Sequence, residues 1–310
     1  MAQQSPVLVL GEALVDVVLK DGHVSEHVGG SPANVAFGLG RLDHDVTLAA
    51  WFAKDERGER IAQACRDSNV RIAPGADRAP RTSVANALID AAGKATYQFD
   101  LSWLLPDLPQ GGDVGHVHTG SIGATLEPGG SQVVRAVREA ADTATVSYDP
   151  NARPTLMGTP AAVIGRVEEI IALSDVVKAS DEDIEWLYPD RSVADVMRHW
   201  LSLGSALTVV TRGGEGAYVA VATDDEIVEV APKRVDVADT VGAGDSFMAG
   251  LISGLLDADY LGGPEARKSL RNASLADVMP AIDRAIVTSS NTVSRAGAYA
   301  PTRAELEGIA

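Results

Sequence analysis

From His116 onward the sequence alternates short apolar runs with longer amphipathic segments, and that alternation limits the fold more than any other feature. The runs at 116–120, 145–148, 176–179 and 206–211 are short and rich in apolar or β-branched residues. They read as strands, as does the continuous apolar run Val7–Leu10, which is expected to be buried on both faces. The segments 130–141, 161–173 and 193–203 between them have helical spacing. Repeated strand–helix–strand units predict a mostly parallel sheet with helices on both faces. Ligands of such sheets bind outside the carboxyl ends of the strands. Three polar clusters fall at those ends: Asp149–Arg153, Ser180–Asp183 and Arg212–Gly216.

The first hundred residues are less regular. Strands are expected at 7–10, 13–19, 24–28 and 46–50, a helix from Pro32 to Leu42, and a second at 59–67 after a loop at 54–58. Asp21-Gly22 is a hairpin signal. Two further strands, 82–89 and 95–99, flank a turn at 90–94 with no helix between them. A hairpin that interrupts a β-α alternation suggests a small β insertion, a lid. Tyr97, Phe99 and Trp103 collect there, either stacking on a substrate or packing the lid. Asp16 is a lone acid in an apolar strand, and burying a carboxylate is costly unless it is paired or ligand-bound. That favours a cleft-facing role, accepting hydrogen bonds from sugar hydroxyls. The stretch 262–269 reads as a polar surface loop, 275–289 as a helix, and 302–307 as a short helix with Thr302 and Glu305 forming a capping box. One domain spanning 1–310 is expected, with lid insertions at about 13–30 and 79–104.

Composition narrows the chemistry. The net charge is −17 over 310 residues, which argues against nucleic acid or an anionic membrane as partner. The single cysteine, Cys65, excludes an intramolecular disulfide framework. The N-terminus carries no signal-like apolar run, so a cytoplasmic enzyme is expected. His116 and His118 would share one face of a strand; a metal site there is weighed against a structural role.

The stretch Asp239-Thr240-Val241-Gly242-Ala243-Gly244-Asp245 precedes an apolar helical run with Phe247, Leu251 and Leu255 on one face. Glycines let backbone approach a ligand closely, and the first amides of a helix carry the positive end of its dipole. Gly242, Ala243 and Gly244 can therefore form an anion hole. Asp245 beside it reads as a base that activates a hydroxyl for phosphoryl transfer, or as an N-cap of a Gly-rich turn. Gly29-Gly30-Ser31-Pro32-Ala33-Asn34 is a second glycine cluster at a helix start, with Pro32 suited to the first turn. No Walker loop occurs, and no Gly-x-Gly-x-x-Gly follows the first strand.

These two separated motifs resemble the N-terminal and C-terminal signatures of the ribokinase-like (PfkB) carbohydrate kinases, and the resemblance runs from Gly11-Glu12-Ala13-Leu14-Val15-Asp16 to Arg295-Ala296-Gly297-Ala298. It implies a three-layer α/β/α core with a mostly parallel sheet and a small β lid, and ATP-dependent phosphorylation of a sugar hydroxymethyl group. By position, Asp245 would be the base and Gly242, Ala243 and Gly244 the anion hole. Asp16, Gly30, Asn34, Phe99 and Arg153 would meet the sugar. Lys178, Ser180, Thr211, Gly213, Gly216 and Asn291 would lie along the nucleotide. The family's Asn-x-x-Glu element, which organises Mg²⁺ through water, falls on Ser180-x-x-Asp183, a departure that shortens the acid's arm. A monovalent cation, K⁺, would sit near Asp239 and the Gly297 turn. The motifs around Asp16 and Arg153 resemble those of fructokinases; 2-keto-3-deoxygluconate kinase or ribokinase are the alternatives, with a nucleoside kinase or a non-catalytic sensor behind them. The lid's free edge would allow a homodimer.

Overall fold

In a computed structural model the described residues are 5–20, 22–89, 95–108 and 114–307. The expected turns at Asp21 and at 90–94, and the side chain of Tyr97, lie outside them. The chain opens with β1 (Val7–Leu10), β2 (Leu14–Lys20) and β3 (His23–Gly29), then α1 (Ser31–Arg41). Next come β4 (Val46–Ala49), α2 (Glu56–Asp67), β5 (Val70–Ile72), β6 (Val84–Ile89) and β7 (Ala95–Asp100). The regular half holds β8 (His116–Gly120), α3 (Gly129–Ala140), β9 (Thr145–Asp149), α4 (Pro154–Met157), α5 (Pro160–Ala172) and β10 (Val176–Ser180). It continues through α6 (Asp181–Leu187), α7 (Val193–Leu203), β11 (Leu207–Thr211), β12 (Ala217–Val221) and β13 (Val228–Val230). Four helices close the chain: α8 (Ala243–Asp257), α9 (Pro264–Arg271), α10 (Leu275–Val293) and α11 (Arg303–Glu307).

Nine strands form one sheet in the order β13-β12-β11-β10-β9-β8-β1-β4-β5. Pairing is parallel from β11 to β5 and antiparallel only at β11/β12 and β12/β13. β1 shows why both faces must be covered. Val7 and Val9 enter a core with α1, α8 and α10, while Leu8 and Leu10 enter one with α3 on the other side. A continuous apolar run is what a strand sandwiched between two helix layers requires. A second sheet, in the order β3-β2-β6-β7, stands apart from the first. In it β2 and β6 run parallel, and β3 and β7 pair antiparallel on the outside.

Two boundaries correct the sequence reading. The expected loop at 262–269 is largely helix α9. Gly263 caps it with φ 142, Pro264 takes the first turn, and Lys268 and Arg271 lie in the last turn, where cations suit the dipole. Arg267 then reaches back to Asp175 at 2.7 Å, a contact between positions 92 apart that local pattern does not reveal. Helix α2 begins at Glu56, inside the expected loop, because Asp55 caps it by accepting from the Gly58 amide at 2.8 Å. The terminal capping box is present: Glu305 accepts from the backbone and hydroxyl of Thr302.

Candidate active site

The site is built at the carboxyl edge of the sheet, where α8 begins. The helix starts four residues before the apolar periodicity, with Gly242 as the capping residue in the left-handed region at φ 74. A Cβ on Gly242 would lie 2.7 Å from that of Ala298. Glycine is therefore required there for both conformation and space. The amides of the first turn have no partner within the helix; that of Ala243 donates to the Thr240 carbonyl at 3.2 Å.

Asp245 is the third residue of that helix and is only 8% exposed. It does not cap its own helix. Instead its Oδ1 accepts from the Ser31 hydroxyl at 2.6 Å and its Oδ2 from the Asn34 amide at 2.8 Å. Both donors sit on the first turn of α1, which Gly30 caps at φ 105. So the two glycine motifs meet: one supplies the acid, the other orients it. Gly30 has a backbone reason of its own, since a Cβ would lie 2.4 Å from the Glu12 carbonyl.

Beneath the helix end lies a buried ion pair. Lys178 Nζ donates to Asp149 Oδ2 at 2.8 Å, with both side chains withdrawn from solvent. A Cβ on Gly244 would come within 3.0 Å of that Nζ, so Lys178 stands under the anion-hole turn. Burial pushes the Asp149 carboxyl up to about 6, against the pull of Lys178. Burial also works against the Lys178 charge, but Asp149, Asp183 and Asp245 together hold its ammonium above the ordinary lysine value.

A cleft of about 470 Å³ opens over these groups. Gly242, Ala243, Gly244 and Asp245 form one wall; Arg153, Ser180 and Asp183 form another. Asp183 is fully engaged: Oδ1 accepts from the Ala152 amide at 2.6 Å and Oδ2 from the Ser180 amide at 2.8 Å, completing a capping box at the start of α6. Arg153 is exposed at the rim and folds onto the carbonyls of Asn151 and Ala152. Asp16, Gly30, Phe99, Thr211, Gly213, Gly216 and Asn291 do not line this cleft. Asp16 lies partly buried in β2, and among the described residues nothing donates a hydrogen bond to it. Burial pushes its carboxyl above the usual range, opposed by His27 and Arg153. Thr211 and the positive-φ glycines Gly213 and Gly216 flank the turn between β11 and β12. Asn291, in α10, is buried with its Oδ1 unpartnered.

Several features escaped sequence reasoning. Ser31 read only as part of a motif, though a hydroxyl one residue after the cap is a natural donor to a neighbouring helix end. Glu182 and Trp186 also line the cleft, and helical spacing from Ser180 would have placed them. His116 and His118 are fully buried and bonded to Thr145 and Ser147; among the described residues no cluster suited to a metal occurs. Trp103 is buried, its indole donating to the Gly123 carbonyl, so it packs rather than stacks on a ligand. No helix among the described residues is long and apolar enough to cross a membrane.

An acid held in one orientation beside amides that await negative charge is the arrangement of a phosphoryl-transfer enzyme. The family pattern described as pfkB family carbohydrate kinase matches residues 5–304, and the chain belongs to that family. Within it the chain is an ATP-dependent sugar kinase of the fructokinase-like kind. It is 35% identical over 263 residues to a fructokinase of Rhizobium leguminosarum bv. trifolii, covering 80% of this chain and 79% of the relative. Among solved structures it is similar to fructokinase of Vibrio cholerae O395 with fructose, ADP and calcium ion bound (26% identity, TM-score 0.80, 98% of both chains covered). A double mutant of that fructokinase, with fructose, ADP and potassium ion bound, matches at 25% identity with the same TM-score and coverage.

Proposed function

We propose that the chain transfers the γ-phosphoryl group of ATP to a hydroxymethyl group of fructose. The observation that carries this reading is the placement of Asp245, buried at the amide end of α8 and held by Ser31 and Asn34. The names of the relatives favour fructose; 2-keto-3-deoxygluconate and ribose are the alternatives.

In the proposed reaction the sugar hydroxyl meets Asp245, which accepts its proton as the oxygen attacks the γ-phosphorus in line. The bond to the bridging oxygen breaks and ADP leaves, while the Gly242, Ala243 and Gly244 amides take up the developing negative charge. Asn34 keeps its carbonyl oxygen for a sugar hydroxyl while its amide holds Asp245. Asp16, Gly30, Phe99 and Arg153 complete the sugar side, and the β3-β2-β6-β7 sheet serves as a lid that excludes water. Thr211, Gly213, Gly216 and Asn291 hold the nucleotide, with Lys178 beneath its phosphates.

A Mg²⁺ ion would neutralise the phosphate oxygens. The donor set fits it through water rather than by direct ligation, because both Asp183 oxygens already accept backbone amides and Ser180 offers only a hydroxyl. A K⁺ ion belongs, in this reading, at the turn that Asp239 pins by accepting from the Val241 and Gly297 amides. A homodimer through the lid is supported by β3, an edge strand whose Val24 is 63% exposed. One buried cysteine suits a reducing compartment, and we place the enzyme in the cytoplasm.

The test is ADP release with fructose, ribose, 2-keto-3-deoxygluconate and adenosine as competing acceptors. Fructose should give the highest kcat/KM. A higher value for another acceptor would reassign the substrate, and no turnover with any of them would sink the kinase assignment.

A further inference from the structure

Glu12 is a buried carboxylate that the proposed reaction does not use. Glu12 lies between β1 and β2 and is 7% exposed. Its Oε2 accepts from the Gly123 amide at 2.8 Å, and the Ser121 hydroxyl reaches the same carboxylate. The carbonyl of Gly123 in turn accepts from the Trp103 indole at 2.8 Å. Glu12 stands just ahead of β2 and Trp103 just behind β7. One residue, Gly123, therefore fastens two of the four places where the chain passes between the four-stranded sheet and the rest of the molecule, through the peptide groups on either side of its Cα.

The turn that presents Gly123 is shaped for the task. Ser121, which opens it, is a non-glycine residue at φ 52, a conformation that persists only where the surroundings impose it. Its amide donates to the Asp149 carbonyl at 3.0 Å, tying the turn to the strand end that carries the buried ion pair. Gly123 has no space for a side chain: a Cβ would lie 2.7 Å from the Gly11 Cα and 3.0 Å from the Glu12 nitrogen. The Trp103 ring lies against Gly129, where a Cβ would fall 2.2 Å from it. Nothing here is loose enough to absorb a shift of either root.

Asp16 stands in β2, four residues beyond Glu12, and its carboxylate lies over Gly29, where a Cβ would be 2.2 Å from Oδ2. Displacing the root of β2 displaces that carboxylate. We propose that Glu12, acting through the Gly123 amide, is a positioning residue for sugar binding, fixing the root of β2 and with it the place of Asp16. This rests on reading the chain as a sugar kinase with Asp16 on the sugar. Burial pushes the Glu12 carboxyl up to about 7. The acceptor oxygen, rather than a full negative charge, is then what the turn needs, and glutamine should serve.

The experiment is steady-state kinetics with sugar and ATP varied separately, using the sugar that the wild type turns over best. Wild-type turnover tests the kinase reading by itself; the ratio of variant to wild-type KM tests this inference. Glu12→Ala leaves a buried amide unpaired and should raise the sugar KM about tenfold or more, with the ATP KM within about twofold of wild type. Glu12→Gln should restore the sugar KM. Trp103→Phe keeps the ring but removes the indole donor at the other root. It should move the sugar KM in the same direction, and it carries the test if Glu12→Ala does not fold. A sugar KM unchanged in both Glu12→Ala and Trp103→Phe overturns the proposal. So does a rise in both KM values together, or a failure of glutamine to rescue.

Discussion

The hydroxyl of Ser31 donates to Oδ1 of Asp245 at 2.6 Å, although the two residues stand 214 positions apart in the chain. The contact joins the first turns of α1 and α8, and a second bond from Asn34 beside it leaves the carboxylate one orientation. In the proposed reaction a base held this way would spend little of its freedom on reaching the transition state.

Replacing Asp245 by asparagine keeps the shape and removes the proton acceptor. The turnover number should fall by about 10³-fold, in the range of a lost general base, while calorimetric binding of ATP stays close to wild type. Turnover within tenfold of wild type would place the base elsewhere.

Gly242→Ala should damage both stability and catalysis. Its φ of 74 is strained for an L-residue, and the new methyl would meet Ala298. The backbone term alone costs about 1–2 kcal/mol, read as a lower denaturation midpoint. Movement of the amide turn should also lower kcat. A variant as stable and active as wild type would contradict the geometry of the helix start.

Acid should destabilise the protein from just below neutral pH. Burial pushes His44 down to about 4, and His116 and His118 down to about 3. These rings are neutral in the fold, so the unfolded chain binds more protons. Their contribution is present above pH 6.5 and is lost as pH falls from 6.5 toward 3. At pH 5 the loss is about 2 kcal/mol for each ring. Glu12 works in the opposite sense: its contribution is present below 4.5 and is lost as pH rises through 7. Asp149, pushed up to about 6, and Asp16, also raised by burial, act in the same sense as Glu12. The three rings outweigh these acids, so Tm should drop between pH 6.5 and 5, and His118→Asn should flatten that slope. A Tm that holds or rises on acidification would show that the rings are not buried as described.

Arg267→Ala should be the most destabilising change far from the site. Its guanidinium holds Asp175, 2% exposed at the side chain, and also donates to the carbonyls of Ala141 and Ala144. Removing it leaves a buried carboxylate without its charge partner, held only by the Val146 amide at 2.8 Å, a loss of about 3–5 kcal/mol. Chemical denaturation measures this; a loss below about 1 kcal/mol would mean that solvent reaches the pair. Kinetic constants of the folded variant should not change.

Cys65 should be silent in the native protein. It is fully buried and burial pushes its thiol up to about 12, which leaves almost no thiolate. A colorimetric thiol reagent should react only after denaturation. Rapid labelling of the native enzyme would show that α2 opens readily.

The alternation after His116 was legible because short runs rich in Val, Leu and Ala recur between segments of helical spacing. The rule that a strand covered on both faces is apolar throughout is obeyed by Val7–Leu10 and broken in β10 by Lys178, which Asp149 neutralises. The glycine motifs were legible because a positive φ, as at Gly30 and Gly242, restricts the residue type locally. The start of α2 was misread because a single cap, Asp55, decides it. The helix α9 was misread because its segment is polar and its main apolar anchor, Leu270, comes at the end.

The sequence by itself determined the kind of sheet, the face each strand buries, the helix end that awaits an anion and the acid beside it. These follow from short-range sterics and from periodicity, which act between near neighbours. Only the tertiary structure decided that Ser31 and Asn34 hold Asp245, that Lys178 and Asp149 neutralise each other beneath Gly244, and that Glu12 and Trp103 share one glycine, Gly123, of a strained turn. Those relationships depend on desolvation and on distances across the sheet, and no local stretch of chain encodes either. Asp245 reads from the sequence as a base or as a cap; it is the packing of α1 against α8 that turns it toward the cleft.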